Sequence, residues 1–228
     1  MNIKQSYRIF GVILGACIFC SLLQTVMNTA LPAIMAEFAI NAATAQWLTS
    51  GYSLAMGVMT PLTAFLIKRF PTKRLFSVAL IICCAGVALA VWAGSFPVLM
   101  CGRILQAIGA SVIASMTQVV IFHIFPAEKR GSIMGMYGLA VGAAPILAPT
   151  LAGVVIDLWG WRMVFGISLA IAAVAVVLGI WMMRDVLPTQ RLNFDFLSTF
   201  DLLGSVPRQQ YVIHQKTYTH QTAAVHSL

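Results

Sequence analysis

The chain alternates between long apolar runs and short polar breaks. Six runs stand out, over residues 9–33, 46–67, 75–93, 96–124, 133–156 and 163–183. Each is close to the roughly 20 residues that an α-helix needs to cross the hydrocarbon core of a bilayer. The pattern therefore predicts six transmembrane helices in one all-α bundle over residues 1–190, followed by a polar, disordered tail over 191–228. Pro61, Pro145 and Pro149 fall inside the runs, where membrane helices tolerate proline because neighbouring groups re-satisfy the freed backbone. The first run is too long for the core of a signal peptide and no cleavage-like stretch closes it, so it reads as a retained helix.

Composition turns this pattern into a statement about solvent. The 228 residues are 60% hydrophobic and 9% charged, whereas a soluble domain carries roughly a quarter charged residues. The expected solvent and first partner is therefore the lipid bilayer. The net charge of +8 would suggest nucleic acid in a soluble protein, but its distribution excludes that partner. With the amino terminus inside, the inner segments hold Lys4, Arg8, Lys68, Arg69, Lys73, Arg74, Lys129, Arg130, Arg184 and Arg191, and the outer loops hold Arg162. This is a positive-inside bias. It predicts a multi-pass protein of the cell membrane with both the amino terminus and the tail cytoplasmic. Trp47, Trp92, Trp159 and Trp161 fall at outer ends and Trp181 at an inner one, as an aromatic belt would.

The remaining candidates for metal or redox chemistry are weak. Cys17, Cys20, Cys83, Cys84 and Cys101 all lie in apolar runs, and the Cys17–Cys20 spacing on a membrane helix reads as small-residue packing. His123 reads as an interfacial residue at the inner end of the fourth helix. His214, His220 and His226 sit in the polar tail. No nucleophile–base pair, metal-ligand cluster or phosphate loop is present, so neither an enzyme nor a cofactor is expected.

Two internal patterns carry more. Pro61, Ala64 and Arg74 are spaced as Pro149, Ala152 and Arg162 are, with the first set ending inside and the second outside. Two inverted three-helix repeats would produce this echo. In the fifth helix, Gly135, Gly138, Gly142, Pro145, Pro149 and Gly153 step by three or four along one face. Such a face either packs statically against a neighbouring helix or bends and slides during transport.

Several stretches resemble the major facilitator superfamily, specifically the amino-terminal half of the fourteen-helix drug:proton antiporters of the EmrB/QacA type. These are "TVMNTALPAI" from Thr25, "AFLIKRFPTKR" from Ala64, "GRILQAIGAS" from Gly102, "GAAPILAPTLAG" from Gly142 and "GWRMVFGI" from Gly160. The resemblance covers about residues 8 to 200. It implies a facilitator-type bundle, an amphipathic drug and a proton as partners, and a second half-bundle or a second copy of this chain to complete the cavity. Departures from the family pattern are Leu23 where an acid is usual in the first helix, Lys68 and Pro71 in the inner basic loop of Lys68, Arg69, Lys73 and Arg74, and Ala148 and Ala152 where glycines are common.

Arg103 is the residue that most needs an explanation. It lies roughly 9 Å inside the outer end of its helix at 1.5 Å per residue, and Gln24 lies at a similar depth. The six acids, Glu37, Glu128, Asp157, Asp185, Asp195 and Asp201, all fall outside helix centres. Gln24, Asn28, Gln106 or water are thus the expected acceptors for its donors. Two readings remain, an arginine that anchors helix packing and a cavity cation on a substrate or proton pathway formed with Gln106, Gln24 and Asn28. The function predicted is a transporter related to proton-coupled multidrug efflux. The loss of resemblance beyond about Gly204 adds the expectation of a truncated or frame-shifted form, inactive alone. The alternatives are a self-assembling half-transporter and a membrane scaffold.

Overall fold

A computed structural model of the chain describes residues 3–187; the predicted polar tail and its three histidines lie outside the described residues. The described residues form α1 (Ile3–Phe38), α2 (Ala42–Arg69), α3 (Thr72–Val91), α4 (Phe96–Ile124), α5 (Ala127–Trp159) and α6 (Trp161–Met182). All six are long and apolar enough to cross a bilayer. Several run past their apolar segments, most clearly α1, whose 36 residues span about 54 Å at 1.5 Å per residue. The excess has a simple cause: backbone amides keep their helical partners after the side chains turn polar, because an unpaired amide remains costly near the interface.

Local chemistry sets the ends. Asn41 caps α2, its Oδ1 accepting from the Thr44 amide at 2.8 Å, which satisfies one of the orphan donors of the first turn. Pro126 precedes α5 and ends the preceding segment without an amide donor to lose. Gly160 closes α5 and starts α6 at φ 79°, a left-handed value at which a side chain would be strained.

The packing follows an exchange of two three-helix units. α1 packs on α5 and α6; correspondingly, α4 packs on α2 and α3, while α1 meets α4 and α3 meets α6. Swapping α1–α3 with α4–α6 leaves this neighbour pattern in place, as inverted repeats require. The core is centred on α1 and α4, with Ile9, Met27, Ala30 and Ile34 from the first and Leu99, Ile113, Met116 and Val120 from the second fully buried.

Polar ties close both ends of the bundle. At one end Glu37 of α1 accepts from Trp161 Nε1 at 2.6 Å and pairs with Arg162, whose other arm donates to the Ala93 carbonyl at 2.7 Å. Trp161 corrects the expected aromatic belt. It is buried against Phe38 and Phe165, because its indole donor has a carboxylate to satisfy inside the protein. Trp47, Trp92, Trp159 and Trp181 are exposed. At the other end Asp185 Oδ1 accepts from the Lys73 amide at 2.9 Å, and Thr72 Oγ1 accepts from the Leu187 amide at 3.1 Å. A carboxylate at the start of α3 also complements the helix dipole.

Because the Glu37–Arg162 pair is more than a third exposed on both sides, its ionic part is strongly screened. Glu37→Ala also leaves the buried Trp161 indole N–H without its acceptor, so it is expected to lower stability by about 2 kcal/mol, most of it from that donor, measured as thermal unfolding of the detergent-solubilised chain.

Candidate functional site

Arg103 sits on α4 and is completely buried. Its Nη1 donates to Gln106 Oε1 at 2.7 Å, one helical turn along, and its Nε makes a long 3.4 Å bond to the Leu48 carbonyl of α2. The guanidinium carbon lies 4.4 Å from the ring centre of Tyr52, within the range of a cation–π contact. Gln106 in turn donates from Nε2 to the Gly86 carbonyl of α3 at 3.0 Å. Arg103 and Gln106 thus join α2, α3 and α4 through carbonyl groups that have a second lone pair to offer. Nη2 has no partner among the described residues.

The approach of α3 to α4 is what allows this. A Cβ added at Gly86 would stand 2.5 Å from the Gly102 carbonyl oxygen and 2.8 Å from the Gln106 amide nitrogen. At Gly102 and Gly109 it would stand 2.8 Å and 2.5 Å from the carbonyl oxygens of Gly86 and Ala79. Three glycines therefore bring the two backbones together, as small residues do in membrane bundles.

A hollow of about 110 Å³ lies between α1, α2, α4 and α5. Its polar lining comes from Ser21, Gln24, Tyr52 and Tyr137, and its apolar lining includes Met56 and Ile113. Ser21 Oγ is held by the Val141 carbonyl at 3.2 Å. Nearby, Cys17 Sγ lies 3.1 Å from Thr117 Oγ1, which makes Cys17 a packing residue of the α1–α4 contact.

The residues expected to act together separate into layers. Gln24 lines the hollow, and Arg103 with Gln106 lies outside its lining. Tyr52 belongs to both, with its ring against the guanidinium and the residue in the lining of the hollow. Of the expected acceptors, Gln106 is the one that Arg103 uses; Asn28 instead accepts from Thr49 Oγ1 at 3.2 Å on the exposed side of α1 and α2. Tyr52, Tyr137 and Gly86 were not singled out in the sequence, since an aromatic or a glycine within an apolar run carries no signal of its own.

The glycine–proline face of α5 is the other surprise. α5 buries Ala144, Ala148 and Ala152 instead, the last two against Val26 of α1 and Val164 of α6. A Cβ at Gly135, Gly138, Gly142 or Gly153 would meet nothing within 4 Å. Pro145 is half-buried and Pro149 exposed. The face is therefore not packed against another helix of the described bundle, so neither a static contact nor a sliding one is made there among the described residues. Physically, the alanines at the two departures from the family pattern form the α1-facing side, and the glycines fall away from it. In the basic stretch joining α2 and α3, Lys68, Arg69 and Arg74 are exposed and Lys73 is half-buried.

The fold is a six-helix bundle of membrane-spanning length with a small hollow among α1, α2, α4 and α5. The sequence profile of the Major Facilitator Superfamily matches residues 13–208, and the chain belongs to that superfamily. It is 40% identical over 190 residues to the uncharacterized MFS-type transporter YcnB of Bacillus subtilis, covering 83% of this chain and 40% of that protein. It is 37% identical over 198 residues to the lincomycin resistance protein LmrB of the same organism, covering 86% of this chain and 41% of LmrB. The chain thus spans about two fifths of the length of these relatives. The crystal structure of a peptide transporter, POT, superposes with a TM-score of 0.71 at 12% identity, covering 93% of this chain and 47% of that one. At that identity the likeness is one of fold.

Proposed function

We propose that this bundle forms one wall of an efflux transporter for amphipathic drugs, of the EmrB/QacA drug:proton antiporter type. The observation that carries the reading is the hollow between α1, α2, α4 and α5, apolar with a few convergent polar groups, Ser21, Gln24, Tyr52 and Tyr137. This is the lining chemistry of a small-molecule site. Its volume of about 110 Å³ is below the roughly 300–1,000 Å³ of drug-sized pockets, so a second bundle supplies the rest of the site. That bundle is a second half-transporter or a second copy of this chain, and the unpacked glycine–proline face of α5 is available for the sliding contact between them. Gln24 meets substrate directly, Asn28 lies on the rim, and Arg103 with Gln106 acts through Tyr52.

Among the described residues no carboxylate lines the hollow, and Leu23 is buried in the core. In this reading the proton-binding acid belongs to the other bundle. The basic loop of Lys68, Arg69, Lys73 and Arg74 faces the cytoplasm, with the protein in the cell membrane.

The test joins residues 1–190 to the carboxyl-terminal half of LmrB and expresses the fusion in a drug-sensitive host. Ethidium efflux and lincomycin resistance are expected from the fusion, with efflux reduced about 5- to 30-fold by Gln24→Leu, the loss expected when a substrate-binding group of about 1–2 kcal/mol is removed. A fusion that reaches the membrane at the level of LmrB but moves neither compound overturns the reading.

A further inference from the structure

We propose that a crevice between α2, α3 and α4 binds an anionic phospholipid, with one acyl chain in the crevice and the headgroup phosphate at Arg74. α2 and α3 are consecutive and antiparallel but barely touch each other, because each packs on α4. The gap between them has a volume of about 320 Å³. Its walls are Met59 and Leu66 of α2, Phe70 just after α2, and Val78 and Ile82 of α3, and Gly109 of α4 contributes to its floor. Arg74 is the one charged residue in the lining.

The dimensions select a lipid tail. From Met59 to the end of α2 at Arg69 the wall rises over ten residues, about 15 Å at 1.5 Å each. This matches one leaflet, half of a hydrocarbon core about 30 Å thick. The crevice begins near mid-membrane and ends at the basic edge of the bundle, so an acyl chain in it brings its phosphate to the level of Arg74.

Charge selects an anionic headgroup. Lys68, Arg69 and Arg74 are exposed at this edge, and among the described residues no carboxylate lies within ion-pair distance of them. Arg74 in the slot and Lys68 and Arg69 on the adjoining end of α2 outnumber the carboxylate at this edge, Asp185, which accepts from the Lys73 amide. This excess of positive charge attracts a net negative headgroup more than a zwitterionic one. Arg74 adds a planar fork suited to phosphate oxygens. The inference concerns a face separate from the transport hollow and does not depend on what is transported.

Native mass spectrometry of the detergent-purified chain tests this with phosphatidylglycerol and phosphatidylcholine of identical acyl chains. One phosphatidylglycerol retained in preference to phosphatidylcholine is expected. Arg74→Gln is expected to lower its retention about fivefold, the effect of one interfacial cation. Val78→Trp fills the slot while leaving all three cations, and is expected to lower retention of the anionic lipid by a similar factor. Val78 is exposed, so this variant keeps the proposal testable even if Arg74→Gln fails to fold. Lys129→Gln, with the same charge change away from the crevice, is the control and is expected to retain the lipid.

Equal retention of the two lipids, an equal loss in Lys129→Gln, or unchanged retention in folded Val78→Trp would each overturn the proposal. So would a photo-reactive residue at position 78 that captures a second polypeptide instead of lipid in membranes, since the crevice would then be a protein interface.

Discussion

Arg103→Ala is expected to destabilise the chain by about 3 kcal/mol, whereas Arg103→Met should cost about 1 kcal/mol or less. The alanine variant removes the donor to Gln106 Oε1 and the contact with the Tyr52 ring. A hydrogen bond from a charged group contributes about 1.5–3 kcal/mol, and a desolvated cation–π contact about 2 kcal/mol. It also leaves a void in a fully buried position, with the further cost that unfilled core volume carries. Against these stands the relief of a desolvated cation that has one arm, Nη2, without a partner. Methionine keeps most of the volume and gains the same relief, which is why isosteric apolar replacements of buried ions are often close to neutral. The pair of variants therefore separates packing from function. If Arg103 serves only to hold helices together, Arg103→Met should keep both the unfolding midpoint in detergent and the efflux of the LmrB fusion. We expect the midpoint to be kept and efflux to fall by about a hundredfold, the order of a lost electrostatic contact in a water-poor site. Efflux unchanged in both Arg103→Met and Arg103→Lys would leave Arg103 as a packing residue.

The helices and their number were legible because each is a long apolar run bounded by charge, and lipid enforces that pattern. The inverted arrangement was legible only faintly, in the Pro61 and Pro149 echo, and becomes clear through the exchange of neighbours between the two halves. Arg103 stood out through the cost of burying a cation, and Gln106 through its position one turn away; the two are buried and joined by a hydrogen bond. What the sequence did not contain is register between helices. Depth alone placed Gln24 beside Arg103, but depth says nothing of azimuth, and the two residues lie in successive layers with Tyr52 between them. Gly86 was missed for the same reason. Its neighbours "CCAGVALA" give no sign that it faces Gly102 across a helix contact.

The second large effect concerns those glycines, and its sign depends on which helix carries them. Gly86→Ala and Gly109→Ala are each expected to destabilise the chain by about 1–3 kcal/mol. In both, the new Cβ would come within 2.5 Å of a carbonyl oxygen on the facing helix, and backbone cannot rotate aside as a side chain can. α3 and α4 must then separate, which stretches the 3.0 Å bond from Gln106 to the Gly86 carbonyl and with it the support of Arg103. Gly86→Ala combined with Arg103→Ala should accordingly cost less than the sum of the two, because both act on one network. On α5 the expectation reverses. Gly135→Ala and Gly138→Ala meet open space, and replacing glycine by alanine inside a helix is favourable by about 0.8–1 kcal/mol. Thermal unfolding of the isolated chain should therefore rank these variants above wild type and the α3–α4 variants below it. The fusion to the LmrB half gives the complementary measurement. If the α5 face slides against a second bundle, Gly138→Leu should leave the isolated chain at least as stable as wild type yet lower ethidium efflux about tenfold, because the added side chain clashes only when the partner is present. Efflux at the wild-type level in that variant would show that the face is not a moving contact, and would leave the glycines of α5 facing lipid.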